Sequence, residues 1–144
     1  MSASQQTTKT ILLVDDDYGV RSMVRDLLEL GRYRVLEAGS GEEALKLGGS
    51  FEGHIDLLLT DIVMPGISGA DLARRLSVRR PHMGVLYMSA FTRMDMNARH
   101  IELQPDVQLL VKPFDLDMLM KRVREALAPF PRWHRPRGDT RPRE

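Results

Sequence analysis

Short apolar runs alternate along the chain with segments in which apolar residues recur every three or four positions. The runs predict five β-strands: Thr10–Val14, Tyr33–Glu37, Ile55–Thr60, Gly84–Met88 and Gln108–Val111. The first, third and fourth runs are almost continuously apolar, which is typical of strands that are covered on both faces. We therefore expect a central sheet between two layers of helices.

The segments between the strands show the periodicity of amphipathic helices. They predict five helices: Asp17–Leu30, Gly41–Leu47, a third beginning at Ser68, a fourth at Arg93–His100 and a fifth capped by Asp115. The fourth has a thin apolar stripe of Met94, Ala98 and Ile101, whereas the fifth has a clear buried face beginning at Leu116. Strict alternation of strands and helices predicts an α/β fold with a doubly wound parallel sheet and right-handed crossovers.

The composition is ordinary for a soluble globular protein, with 42% hydrophobic and 28% charged residues. No apolar run approaches the roughly 20 residues of a membrane-spanning helix, so we expect no membrane insertion. The amino-terminal segment lacks the apolar core of an export signal. The absence of cysteine excludes thiolate metal sites and cysteine nucleophiles, and it fits a cytoplasmic location.

Positive charge and proline are concentrated at the carboxyl end of the chain. Residues 129–144 contain five Arg against Asp139 and Glu144, a net charge of +3 within a chain of net charge +1. We predict a basic, Pro/Arg-rich tail or linker there, a disordered segment at residues 1–8, and a folded domain at 9–128. We expect no specific nucleic-acid partner.

Polar side chains follow four of the five predicted strands. They are Asp15, Asp16 and Asp17 after the first strand, Asp61 after the third, Ser89 after the fourth and Lys112 after the fifth. The working crevice of a doubly wound sheet lies at the carboxyl ends of its strands. We therefore expect these acids, a hydroxyl and an amine to converge at one edge of the sheet.

Such a cluster suits metal-assisted phosphoryl chemistry. Neighbouring carboxylates repel one another, and a hard divalent cation such as Mg²⁺ relieves the repulsion. A carboxylate can also accept a phosphoryl group, provided that positive charge and hydrogen-bond donors surround the transferred oxygens. Lys112, Ser89 and the backbone N–H groups after Asp61 can supply these. Each residue alone is more often a cap or turn residue, so the prediction depends on their joint placement.

Four segments resemble the receiver domain of two-component response regulators. They are ILLVDDD (11–17), LLLTDIVMPGISG (57–69), VLYMSA (85–90) and LVKPF (110–114). Two further segments, RVLEAGSGEEAL (34–45) and LYMSAF (86–91), are most similar to receivers attached to hybrid sensor histidine kinases. The resemblance covers nearly all of residues 9–128. It implies a flavodoxin-like receiver fold with a five-stranded sheet in the order 2-1-3-4-5.

The resemblance also implies a role for each matching residue. Asp61 corresponds to the phosphoacceptor, Ser89 to the switch hydroxyl and Lys112 to the phosphate-contacting lysine. The implied Mg²⁺ ligands are Asp15, Asp16, Asp61 and the carbonyl of Val63. Asp16 is expected to bind the metal directly and Asp15 mainly through water.

As a receiver, the chain is expected to accept its phosphoryl group from a sensor histidine kinase or a histidine phosphotransfer protein. It would catalyse only its own phosphorylation and dephosphorylation, so it is not expected to be an enzyme, and we expect a monomer or weak dimer. The resemblance implies a cis peptide bond between Lys112 and Pro113. Leu109 departs from the family, which often has Tyr or Phe there as an aromatic switch.

Three other interpretations stay open. Gly39–Ala44 fits a GxGxxA dinucleotide motif, but it follows the second strand and opens an acidic helix. Asp15-x-Asp17 is similar to the motif of aspartate-nucleophile phosphatases of the haloacid dehalogenase type. These have Thr or Val two residues after the second Asp, where this chain has Gly19, and the sequence has too few residues for their cap domain. A degenerate receiver would serve only as an interaction module, without phosphorylation.

Overall fold

The computed structural model describes residues 8–101 and 107–128. The strands are β1 (Thr10–Val14), β2 (Arg34–Ala38), β3 (Leu57–Asp61), β4 (Gly84–Ser89) and β5 (Gln108–Val111). The helices are α1 (Tyr18–Leu30), α2 (Gly41–Ser50), α3 (Gly69–Arg79), α4 (Arg93–Ala98) and α5 (Leu116–Leu127). The predicted tail at 129–144, and the predicted segment at 1–8 apart from Thr8, lie outside the described residues.

The five strands form one parallel sheet in the order β2-β1-β3-β4-β5, which confirms the predicted fold class. The register brings the carboxyl ends of the central strands level with one another. Asp61 lies opposite Met88, and Ser89 lies opposite Val111. The residues at the carboxyl ends of β3 and β4 and those that follow β1 and β5 therefore meet at one edge.

The core lies on both faces of the sheet, because successive side chains of a strand point to opposite faces. In β1, Leu12 and Val14 belong to the cluster that packs against α2 and α3. Ile11 and Leu13 belong to the cluster that packs against α1 and α5. All four side chains are fully buried, as the continuously apolar pattern predicted. Burial of each such side chain stabilises the fold by about 1.5–3 kcal/mol.

Two predicted helix faces need correction. Met94 was expected on the buried stripe of α4 but is 80% exposed, while Met96 is buried instead. Leu116 was expected to face the core but is 38% exposed. The first turn of a helix contains too few apolar residues to specify which side of the helix faces the core. The capping residues determine this orientation instead. The capping box between Thr92 and Asp95 sets the first turn of α4.

None of the helices within residues 8–101 and 107–128 is long and apolar enough to cross a membrane.

Candidate functional site

Three carboxylates converge at the carboxyl edge of the sheet. Carboxylate oxygens of Asp15, Asp16 and Asp61 all lie within 4.8 Å of one another. Asp15 is buried, Asp61 is partly buried and Asp16 is exposed. Asp17 is the N-cap of α1 and accepts a hydrogen bond from the N–H of Val20 at 3.1 Å. The structure therefore places Asp15 and Asp16 beside Asp61, as predicted, and gives the capping role to Asp17.

Lys112 completes this cluster from the end of β5. Its Nζ atom lies 3.0 Å from Oδ2 of Asp15 and 3.4 Å from Oδ2 of Asp61. Three carboxylates against one ammonium leave two formal negative charges, which one divalent cation would neutralise. The donors are all oxygen, the set that Mg²⁺ prefers. The residues present thus fit Mg²⁺, and the Val63 carbonyl stays a predicted ligand.

For both Asp61 and Lys112, burial and the neighbouring opposite charge shift the pKa in opposite directions. Burial raises the pKa of Asp61, the positive charge of Lys112 lowers it and the negative charge of Asp15 raises it, so the pKa lies above its ordinary value. Burial lowers the pKa of Lys112, but its interactions with Asp15 and Asp61 outweigh burial and leave the pKa raised. Added positive charge beside Asp61 would therefore favour its ionised form.

Ser89 lies at the same edge, but its hydroxyl is engaged within its own loop. The side chain is buried, and its Oγ atom accepts a hydrogen bond from the N–H of Phe91 at 2.9 Å. The backbone carbonyl of Ser89 accepts from the N–H of Lys112 at 2.7 Å. The end of β4 is thus tied directly to the lysine that contacts the acids.

One expected backbone feature is observed near this edge, and the register defines the surroundings of Leu109. The Lys112–Pro113 peptide bond is cis, as the resemblance implied. Leu109 is partly buried and lies opposite Tyr87 in the register of β4 and β5. The aromatic residue beside Leu109, where this chain departs from the family, is therefore Tyr87 on β4.

Glycines shape the loop that follows Asp61. Gly66 has a φ of +79°, a conformation that L side chains rarely adopt. A Cβ atom at Gly69 would lie 2.1 Å from the carbonyl oxygen of Asp61, so only glycine allows α3 to begin this close to the acceptor strand. The structure thus gives a steric reason for the glycine at each of these two positions.

The GxGxxA string does not leave a free phosphate-binding turn. Ser40 accepts a hydrogen bond from the N–H of Glu43, and the Glu43 carboxylate accepts one from the N–H of Gly39 at 2.7 Å. The N–H groups of Gly39 and Glu43 at this turn therefore already have partners, and the partner of Gly39 is a negatively charged carboxylate. This geometry supports a helix cap and disfavours nucleotide binding.

A basic side chain that was not predicted from the sequence, Arg21, contacts the acidic loop. Arg21 Nη1 donates to the backbone carbonyl of Asp15 at 2.7 Å, and Arg21 Nε donates to Oε1 of Glu37 at 3.2 Å. One signal was present in the sequence. Arg21 falls in the first turn of the helix after the acids, and Glu37 falls near the end of the strand predicted beside β1.

Comparisons with known proteins agree with this geometry. The sequence profile of the response regulator receiver domain matches residues 11–124. The chain is 35% identical over 118 residues to sensor kinase CckA of Brucella abortus, which covers 82% of this chain and 12% of the kinase. It is 31% identical over 117 residues to sporulation initiation phosphotransferase F of Bacillus subtilis, which covers 81% of this chain and 92% of that protein.

A solved structure extends the similarity to three dimensions. The response regulator protein TrrA of Thermotoga maritima, solved in complex with Mg²⁺–BeF, aligns with a TM-score of 0.67 and 32% identity. The alignment covers 83% of this chain and all of that one. The similarity thus spans a small part of the kinase and almost the whole of two shorter proteins. Sequence profile, fold and relatives agree that this chain belongs to the response regulator receiver domain family.

Proposed function

We propose that this chain accepts a phosphoryl group from a phosphohistidine onto Asp61, with Mg²⁺, in a two-component or phosphorelay system. The observation that carries the proposal is the contact of one ammonium, Lys112 Nζ, with the carboxylates of Asp15 and Asp61 at the carboxyl edge of the sheet. The similar protein TrrA was solved with Mg²⁺ and a beryllofluoride group, which supports the same ligand chemistry here.

The transfer is an in-line displacement at phosphorus. A carboxylate oxygen of Asp61 forms the new phosphorus–oxygen bond while the phosphorus–nitrogen bond of the donor breaks, and its electron pair returns to the imidazole nitrogen. Negative charge on the transferred oxygens needs donors nearby. Lys112 supplies one such donor, since its Nζ atom already faces Oδ2 of Asp61 at 3.4 Å. The product is an aspartyl phosphate and a free histidine.

The three acidic side chains would hold Mg²⁺, with the Val63 carbonyl as a further ligand. When bound, the cation supplies positive charge to the transferred phosphoryl oxygens. Within the chain, the N–H of Asp17 donates to Oδ1 of Asp15 at 2.9 Å and so orients that carboxylate. Asp16 is the exposed member of the set, which suits a directly bound ligand at the mouth of the site.

Phosphorylation would then move Ser89. Its hydroxyl would leave the N–H of Phe91 and donate to a phosphoryl oxygen, which shifts the β4–α4 loop and α4. This is a change of population between two packings, driven by new charge and hydrogen bonding.

Several wider features belong to the same proposal. The phosphodonor would be a sensor histidine kinase or a histidine phosphotransfer protein, in line with the names of the relatives. The chain would act in the cytoplasm as a monomer or weak dimer, and it would catalyse only its own phosphorylation and dephosphorylation.

Labelling with a small phosphodonor tests the proposal. Incubation with Mg²⁺ and acetyl phosphate should add one phosphoryl group to the wild-type chain and none to Asp61→Asn. Equal labelling of Asp61→Asn would contradict the assignment of the acceptor. Failure of the wild type to bind Mg²⁺ and to react would favour the degenerate receiver, a module that only binds partners.

A further inference from the structure

Arg21 joins two neighbouring strands at the edge of the acidic site. Its side chain is 16% exposed, and its two donors point in different directions. Nη1 donates to the carbonyl oxygen of Asp15, at the end of β1, at 2.7 Å. Nε donates to Glu37, on β2, at 3.2 Å. The guanidinium thus bridges the acidic loop and a fixed carboxylate on the adjacent strand.

The carbonyl that Arg21 binds belongs to the peptide bond between Asp15 and Asp16. A peptide unit is planar, so fixing the Asp15 carbonyl also fixes the position of the Asp16 Cα atom. On the other side of Asp15, its N–H donates to the carbonyl of Ala38 at 3.3 Å. Arg21 therefore holds the peptide from which both carboxylates project toward Asp61.

We propose that Arg21 is a positioning residue for the Mg²⁺ site, acting through the Asp15 carbonyl while Glu37 anchors its guanidinium. The inference rests on the proposed function, because it assumes that Asp15, Asp16 and Asp61 bind the metal. It adds a residue outside the ligand set that determines how tightly these acids hold the cation. Partners of this kind in metal sites typically change affinity by about 10- to 100-fold.

Loss of the Arg21 side chain would affect Mg²⁺ affinity in opposite directions through its charge and through its positioning of the loop. A guanidinium near the acids repels a cation, so removal of its charge alone should tighten Mg²⁺ binding. Loss of positioning should instead weaken binding. Arg21→Lys separates the two effects, because it keeps the charge but lacks the planar fork that reaches both Asp15 and Glu37.

Arg25 offers a matched control on the same helix. Its Nη1 atom donates to the other oxygen of Glu37, at 2.9 Å, and its remaining side-chain hydrogen bonds go to Ser22 and Asp26. Arg25→Gln therefore removes a positive charge and an ion pair with Glu37, but it leaves the contact between Arg21 and Asp15 in place.

The test is a calorimetric Mg²⁺ titration of the full chain, with acetyl phosphate labelling as a function of Mg²⁺ concentration. We expect Arg21→Gln and Arg21→Lys to raise the Kd, and the half-saturating Mg²⁺ concentration for labelling, by about tenfold. Arg25→Gln should stay within about twofold of wild type, since it leaves the loop contact intact.

Unchanged or tighter Mg²⁺ binding in Arg21→Gln would overturn the inference, as would an equal loss in Arg25→Gln. Should Arg21→Gln fail to fold, Arg21→Lys decides in the same way, and unchanged binding there overturns the inference. If the wild-type chain binds no Mg²⁺, the proposed function fails and this inference fails with it. If the wild-type chain binds Mg²⁺ and the Arg21 variants bind it equally well, the proposed function stands and only this inference fails.

Discussion

The ammonium nitrogen of Lys112 lies 3.0 Å from Oδ2 of Asp15, a residue 97 positions earlier in the chain. Among the residues that the structure describes, this ammonium is the one that contacts the carboxylates of both Asp15 and Asp61. Lys112→Met would leave two largely buried carboxylates without it. We expect the free energy of unfolding to fall by about 2 kcal/mol without Mg²⁺.

Added Mg²⁺ should stabilise Lys112→Met more than it stabilises the wild type, because the cation replaces the missing charge and binds only the folded state. Urea unfolding with and without Mg²⁺ measures both effects. Lys121→Met, at an exposed position of α5, serves as the control for loss of a surface lysine. Identical stability of Lys112→Met and the control without Mg²⁺ would contradict the electrostatic role of Lys112.

The adjacent acids Asp16 and Asp17 should differ sharply in their effect on metal binding. Asp16→Asn removes a charge from a site of oxygen ligands, and we expect the Mg²⁺ Kd to rise by about tenfold or more. Asp17→Asn should leave the Kd nearly unchanged, because asparagine also caps a helix well. Calorimetric titration of both variants gives the comparison. A larger loss in Asp17→Asn would show that the register after β1 is misassigned.

Convergence at the sheet edge was predictable from the sequence because parallel strands end at a common edge. Asp15, Asp61 and Lys112 each follow an apolar run, so their meeting required only the strand assignment. The contact between Arg21 and Asp15 was not predictable in the same way. It depends on the rotation of α1 and on Glu37 from a different strand, which local periodicity does not specify.

The capping box of α4 should make this helix sensitive to acid. The hydrogen bonds from the backbone and side chain of Thr92 lower the pKa of Asp95 below its ordinary value. A group whose pKa is lower in the folded state contributes stability that is present above the unfolded pKa, near 3.9, and is lost as the pH falls through the folded pKa. We therefore expect α4 to lose order on acidification below about pH 4.

Chemical shifts of the α4 amides over this pH range measure the effect. The amide of Met96, which donates to the carbonyl of Thr92 at 3.0 Å, is a suitable probe. Asp95→Asn should remove this local transition. A transition that persists unchanged in Asp95→Asn would show that the capping carboxylate is not its source.

Two apolar side chains should prolong the lifetime of the aspartyl phosphate. By resemblance to the family, we expect the residues two positions after Asp61 and Ser89 to flank the path of the attacking water, and here they are Val63 and Phe91. Neither can orient a water molecule by a side-chain hydrogen bond. The ring of Phe91 is partly buried, and the guanidinium of Arg99 lies 4.1 Å from its centroid, which restricts its movement.

Val63→Asn combined with Phe91→Glu introduces an amide and a carboxylate that can hold the water in line with the bond to be broken. A positioned acid or base typically accelerates proton transfer by about a hundredfold or more. The introduced side chains are not optimised for this role, so we expect spontaneous dephosphorylation to accelerate by about tenfold or more. Phosphate release from purified, phosphorylated protein measures the rate. Val63→Ile with Phe91→Leu keeps both positions apolar and should leave the rate close to that of the wild type. If the polar double variant is no faster than this control, the apolar pair does not protect the aspartyl phosphate, and the lifetime depends on the metal and Lys112 instead.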